Sequence, residues 1–481
     1  MLFTSIRFAV FLPVAVAGFW FVPFAFRKWW LLGISYIFYM GVLPRYASLL
    51  FIVTVINYLS GLARERWPSR RILIVWISVI LNLGFLAYFK YANFLLQSLT
   101  DVADMFGGTL HYDSLNVIMP IGISFYIFIG MSYSIDCYRA TFRPIRSFPL
   151  FACYLSFFPQ LLAGPIVRAH QLIPQLRTPA PFSRPLFEEG LRLLILGLFK
   201  KILLADKLAP LVSQGFSNVH GLSSFDAWVA VLGFAFQIYF DFSGYTDIAR
   251  GCAQLFGYRL PENFRLPYLA RNPREFWRRW HITLSMWLRD YLYIPLGGNR
   301  FSKVRMYVNL MITMALGGLW HGAAWTFFLW GVYHGLLLVL HRWITEISAS
   351  FRPLKVGLES RLGRILATGT TFVMIVFGWI FFRAATFGEA ISMCRAMFRV
   401  GGPGPVTAVL VDSAVPIFAS SLILYHAARF LLKGFPRAYP LLRRSWTYGA
   451  MACLLGLMIY LQHFHAGGTV VAPKPFIYFQ F

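Results

Sequence analysis

Long apolar runs alternate with short charged loops along the chain. A helix needs about 20 apolar residues to cross a bilayer. Residues 8–26 meet that length and are followed by Arg27 and Lys28. They are too long for a signal-peptide core and show no convincing cleavage site, so they read as a first membrane helix rather than a leader. Further spans are predicted near 29–44, 46–63, 72–98, 118–137, 188–211, 226–250, 366–382, 405–431 and 446–464. Segments 147–164, 283–296 and 306–340 fit the pattern less simply. No soluble domain fits between the spans and no internal repeat is visible. The pattern predicts one all-α, polytopic membrane domain over 1–481.

The loops give an orientation, because cytoplasmic loops carry the excess of Lys and Arg. The turn at 64–71 holds Arg64, Arg66, Arg70 and Arg71 and is expected inside. Residues 99–117 hold Asp101, Asp104 and Asp113 with no Lys or Arg, so they are expected outside. The stretches 259–305, 341–365 and 433–444 are basic and expected inside. Both termini then fall outside, provided that 147–164 and 306–340 do not cross.

Composition narrows the class. Charged residues make up 13% and hydrophobic residues 58%, against roughly 25% charged in a soluble domain. Disorder and a soluble globular fold are both excluded. The net charge of +26 would ordinarily suggest nucleic acid. Here the basic residues lie between spans, so membrane topology accounts for them and no nucleic-acid partner is expected. The five cysteines are scattered without a CxxC pair, which gives neither a disulfide framework nor a metal site.

Segment 306–340 contains no Lys, Arg, Asp or Glu. As one helix its 35 residues would reach roughly 52 Å, well beyond a hydrocarbon core of about 30 Å. Gly317, Gly318 and Gly322 suggest a break in its middle. The expectation is a segment that enters and turns back, with a first arm at 306–317 too short to cross. His321 would then lie inside the membrane on a turn. The alternative is one long tilted helix with His321 as a core residue.

Absences restrict the chemistry. No GxxxxGK loop, HExxH pair or GxSxG elbow occurs, which removes support for ordinary ATPases, zinc proteases and serine hydrolases. His321 is the first candidate, because an ionisable residue at membrane depth is a functional hypothesis by default. A neutral imidazole can take a proton from a hydroxyl, as general-base acyl transfer requires. Asp241 and Asp247 lie in an apolar run and need partners. Asp247 and Arg250 are three residues apart, which favours a structural ion pair. Asp241 can orient a histidine or line a cavity.

The run Glu275–His281 is amphipathic and aromatic, and leads to Trp287, Arg289, Asp290 and Tyr291. It reads as an interfacial helix, or as an element in which Arg278 and Arg279 meet the phosphates of a donor. The Pro and Gly residues at 120–122 and 159–165 are expected to break their helices. His334 and His341 share a helical face, but two ligands do not make a metal site.

The residues together resemble the membrane-bound O-acyltransferases, above all the branch that acetylates bacterial polysaccharides. The resemblance is carried by PIGISFYIFIGMSYSIDCYRA, FFPQLLAGPIVRA, YFDFSGYTDIARGCAQLFGYRLPENF, PREFWRRWHITLSMWLRDYLYIPLGGNR and GGLWHGAAWTFFLWGVYHG. It implies that His321 matches the family's catalytic histidine and His281 its second characteristic histidine. It also implies a ring of about 10–13 helices, with short re-entrant or tilted segments, around a central tunnel. Within that fold, helices at 1–100 and 366–465 flank a catalytic core at about 118–345, and Asp241, Trp320, Asp290 and Tyr239 are tunnel or orienting residues.

The implied reaction is acetyl transfer from a cytoplasmic thioester, such as acetyl-CoA, towards an exported polysaccharide such as alginate. No bound cofactor or metal is expected. The implied partners are the lipid bilayer, a polysaccharide acceptor and periplasmic acetyltransferases, and the implied location is the bacterial inner membrane. Transfer of another acyl group or to peptidoglycan or cellulose, D-alanylation, and, in a different class, transport are the competing readings. A transporter should show repeat-related broken helices.

Overall fold

The computed structural model describes residues 1–400, apart from 42–43, 109, 111, 179–180 and 351–359, together with Phe476 and Ile477. The predicted spans at 405–431 and 446–464 lie outside the described residues.

Every regular element described is helical. The N-terminal part contains α1 (Ile6–Phe21), α2 (Phe24–Met40), α3 (Ala47–Arg66), α4 (Arg71–Leu86), α5 (Ala92–Met105) and α6 (Ile123–Tyr138). The predicted span at 72–98 is α4 and α5 joined through a π-helical turn at Ala87–Tyr91. Short pieces follow: α7 (Phe148–Ser156), α8 (Phe158–Leu161) and α9 (Ala169–Arg177). Nine residues in α7 reach about 14 Å at 1.5 Å each. That is too short to cross, as expected of 147–164. The proline-rich stretch at 159–165 breaks the helix there.

Next come α10 (Arg184–Leu198), α11 (Asp206–Ser217) and the central column α12 (Ser224–Leu255). A second π-helical turn, Phe199–Ala205, joins α10 to α11. Ser223 and Asp226 form a capping box that starts α12, and most of its length is buried. Its 32 residues extend about 48 Å. It packs closely on α10 because Gly197 and Gly244 meet there: a Cβ on either would lie within 3 Å of the other's carbonyl oxygen.

The last described part contains α13 (Pro273–Trp277), α14 (Ile282–Leu288), α15 (Lys303–His321), α16 (Trp325–Ser350), α17 (Arg361–Arg383) and α18 (Phe387–Met397). Among the described residues, five helices are long and apolar enough to cross a membrane: Pro44–Arg66, Pro68–Met105, Ser224–Leu255, Trp325–Ser348 and Arg361–Arg383.

Segment 306–340 does turn back, but its geometry corrects the expectation. Gly317 and Gly318 stay inside α15, and the helix ends only at His321 with an extended Gly322. The first arm is therefore 19 residues, about 28 Å, and is not too short to cross. The glycines serve packing rather than breaking. A Cβ on Gly318 would run into the carbonyl of Phe327 and the backbone of Gly331, and one on Gly331 into the carbonyl of Met314. Small residues let the two arms form a tight hairpin with His321 at its bend.

Candidate active site

His321 is the last residue of α15 and is only 3% exposed. Its ring centre lies 5.0 Å from those of Trp320 and Trp330 and 5.4 Å from that of Phe382. His281 is 6.3 Å away, also ring centre to ring centre. The two predicted histidines are thus brought together from segments 40 residues apart. Trp320 lies beside both, 5.8 Å from His281.

His281 is fully buried and has left-handed backbone angles, φ 41° and ψ 54°. Such angles are uncommon for a residue with a side chain and cluster at functional sites. Its surroundings hold it there. The Ile282 N–H donates to the Asn263 carbonyl at 3.0 Å, and the Thr283 hydroxyl donates to Asn263 Oδ1 at 2.7 Å. The Ile166 N–H in turn donates to that hydroxyl. The imidazole packs against Phe242 at 4.6 Å, and neither ring nitrogen has a hydrogen-bond partner among the described residues.

A third histidine, His334, adjoins this pair through Trp330, which lies 4.8 Å from it and 5.0 Å from His321. It packs on Phe276 and Trp277 of the aromatic run preceding His281.

Among the described residues, Asp241 hydrogen-bonds to neither histidine. It accepts from Lys201 at 2.5 Å and from the Ile477 N–H at 2.8 Å. Asp247 is ion-paired as expected, but the short contact is Lys200 at 2.6 Å, with Arg250 at 3.5 Å. Tyr239 packs on Phe264, Tyr268 and Trp280 beneath the His281 loop. Asp290 belongs to a separate charge cluster, held by Arg168 and Arg289 at 2.6 Å each. Burial alone would raise its carboxyl; the hydrogen bonds from Arg289 and Arg168 outweigh that and hold it below the usual carboxylate range.

On the basic stretch, Asn272 caps α13 by accepting from the Glu275 N–H, and Glu275 then pairs with Arg271 and Arg279. Arg279 is therefore already ion-paired, sharing the one charge of Glu275 with Arg271. Arg278 lines a cavity of about 340 Å³ with Arg271, Asn272, Arg274, Glu275, His341 and Thr345. Arg274 and Arg278 have no ion pair among the described residues.

Three further hydrogen bonds at the hairpin bend match no residue pattern in the sequence. Lys90 Nζ donates to the carbonyls of Trp320 and His321 at 2.7 and 3.0 Å. The Tyr91 hydroxyl donates to the Leu319 carbonyl at 2.8 Å. Lys90 is an isolated charge inside the apolar run 72–98, and that isolation was the available signal.

The sequence profile of the membrane-bound O-acyltransferase family matches residues 137–382, which include both histidines. A probable alginate O-acetylase of Azotobacter vinelandii is 39% identical over 412 residues, covering 83% of this chain and 79% of that one. The chain belongs to the membrane-bound O-acyltransferase family. A probable alginate O-acetylase of Pseudomonas aeruginosa is 40% identical over 83% of this chain and 75% of its own length. A peptidoglycan O-acetyltransferase of Helicobacter pylori is 32% identical over 99% of this chain and 97% of its own length. This protein is therefore a multi-pass membrane O-acyltransferase, and the transporter reading falls away. In the acyltransferase described here, His321 and His281 meet within an aromatic enclosure at the end of a helical hairpin.

Proposed function

We propose that the protein moves an acetyl group from a cytoplasmic thioester, acetyl-CoA, towards hydroxyls of an exported polysaccharide such as alginate. The observation that carries this reading is the buried His321–His281 pair at the hairpin bend. The similarity to probable alginate O-acetylases supports acetyl as the group and alginate as the polymer.

In this reaction His321 is the general base. Its neutral imidazole takes the proton of the acceptor hydroxyl as that oxygen bonds to the thioester carbonyl carbon. The tetrahedral intermediate then expels the thiolate by breaking the carbon–sulfur bond, and the imidazolium returns its proton to sulfur. A two-step route gives the same products: an imidazole nitrogen first takes the acetyl group and then passes it to the hydroxyl. His281 and Trp320 shape the space beside the reacting carbonyl. Arg278, with Arg274, meets phosphates of the donor at the basic cavity; Arg279 holds Glu275, which lines that cavity.

Bacterial inner-membrane residence follows from this reaction, because the donor is cytoplasmic and the polymer exported. Periplasmic acetyltransferases complete delivery where the polymer does not reach the bend itself. Peptidoglycan is the second acceptor reading, favoured by the near end-to-end similarity to the Helicobacter pylori protein.

The test is His321→Ala in the full-length chain, with insertion checked by immunoblot of the membrane fraction. Polymer O-acetylation should vanish while the protein accumulates. Acetylation near the wild-type level would sink the proposal. Mass spectrometry of the acylated product separates acetyl from other groups, and alginate from peptidoglycan.

A further inference from the structure

An α-helix ends with four carbonyls that lack intrahelical partners, and it carries a partial negative charge there. At membrane depth, bare carbonyls cost several kcal/mol each, so other groups must satisfy them. The end of α15 is such a place, and it carries His321. Among its last four residues, Leu319, Trp320 and His321 each have a carbonyl that accepts from one of two adjacent side chains. Tyr91 serves the first and Lys90 the other two. Both donors sit on the π-helical turn at Ala87–Tyr91. That turn lies 228 to 231 residues away in sequence from the atoms it holds.

We propose that Lys90 and Tyr91 are positioning residues for acyl transfer, fixing the backbone of residues 319–321 and with it the direction of the His321 imidazole. This inference rests on the reading of His321 as the general base.

Three features favour positioning over plain stabilisation. The contacts are to the backbone of the histidine and its two predecessors, not to the middle of a helix. Two of the three contacts come from an ammonium, a costly group to place in an apolar span. An ammonium matches the negative end of the helix, which a neutral donor would match less well. The backbone after the bend supplies no substitute: Gly322 follows in an extended conformation and makes no capping backbone hydrogen bond among the described residues. Without the ammonium, the last two carbonyls of α15 lose their donor, and the terminal turn and the imidazole it carries are held by side-chain packing alone. Misplacing a reacting group by about 1 Å can cost roughly 100-fold in rate.

The experiment uses the full-length chain in native membranes, with labelled acetyl-CoA and rates normalised to the amount of membrane protein. Lys90→Met should lower kcat roughly 10–100-fold and leave the donor KM within about twofold. Lys90→Arg, which keeps a charged donor, should recover most of the loss. Tyr91→Phe removes one carbonyl contact without changing volume and should lower kcat several-fold at unchanged KM.

Wild-type kcat in Lys90→Met, or Lys90→Arg no better than Lys90→Met, overturns the proposal. Should Lys90→Met fail to accumulate, Tyr91→Phe decides alone: wild-type kcat in that variant rejects positioning. His321→Ala is measured alongside. Transfer that survives His321→Ala removes the general-base reading itself. Transfer lost in His321→Ala but intact in Lys90→Met and Tyr91→Phe removes only the clamp.

Discussion

The ring centres of His281 and His321 are 6.3 Å apart, and the first of these residues has left-handed backbone angles. The position at 281 thus imposes two separate demands, one on the backbone and one on the ring. His281→Asn meets the first, because Asn tolerates the left-handed region. It should accumulate in membranes like the wild type but acetylate more slowly. His281→Val meets neither, since branching at Cβ conflicts with a positive φ. It should be lost from the membrane fraction. Immunoblot and acetylation assays on both variants separate the demands; equal accumulation of the two would contradict the backbone argument.

The hairpin offers a second test. Gly318→Ala drives a methyl group into the Phe327 carbonyl and the Gly331 backbone, whereas Gly84→Ala on α4 meets nothing within 4 Å. Overpacking typically costs about 1–3 kcal/mol. Thermal unfolding in detergent should show Gly318→Ala destabilised by that amount and Gly84→Ala unchanged or slightly stabilised. Because Gly318 is three residues before His321, acetylation should fall with it.

The buried Lys201–Asp241 pair gives a third. Removing one partner strands a charge and costs about 3–5 kcal/mol, while replacing both by apolar residues is often far milder. Lys201→Met and Asp241→Leu alone should each destabilise strongly, and the double variant less than their sum. Asp206 also contacts Lys201, and Ile477 donates to Asp241, so the double variant should not return fully to wild type. A double-mutant cycle on unfolding in detergent measures the coupling; strict additivity would show none.

Asp290 predicts a pH dependence. Arg289 and Arg168 hold its carboxyl below the ordinary range despite burial. A carboxyl lowered on folding stabilises fully above its unfolded value, roughly pH 4. That contribution is lost as pH falls through the lower folded value. The difference in unfolding temperature between wild type and Asp290→Asn should therefore shrink from pH 7 to pH 3. A gap that stays constant would remove Asp290 as its source.

The basic cavity is tested by donor kinetics. Arg274→Gln together with Arg278→Gln should raise the KM for acetyl-CoA and leave kcat near wild type, whereas Arg279→Gln should act mainly by releasing Glu275. Unchanged KM in the double variant would place the phosphates elsewhere.

Much of this was legible in advance, for identifiable reasons. Apolar runs and loop charges located α1 to α6, α12 and α17, because membrane helices are defined by length and hydropathy. The turn at His321 followed from a charge-free segment too long for one span. Its exact place did not follow, since the same glycines that break a helix also let two helices approach closely, and sequence alone does not separate these uses. The resemblance singled out His281 and His321 one by one; that they meet did not follow, as no local pattern links residues 40 apart. The partner of Asp241 is not visible in the sequence, because Lys201 sits on a separate element, 40 residues away. Lys90 is hidden in a different way: its partners are backbone carbonyls, which no residue pattern advertises.

The π-helical turns share one property. The three among the described residues, at Ala87–Tyr91, Phe199–Ala205 and Arg289–Tyr293, carry Lys90, Lys200 with Lys201, and Arg289 with Asp290. Each widens the helix by the equivalent of one inserted residue. Everything beyond such a turn is thereby rotated by about 100° relative to a regular helix. Register, and not only residue identity, therefore aims these charges. Deleting Tyr88 or Phe89 would leave both side chains of the clamp in the protein and still point the ammonium away from the bend.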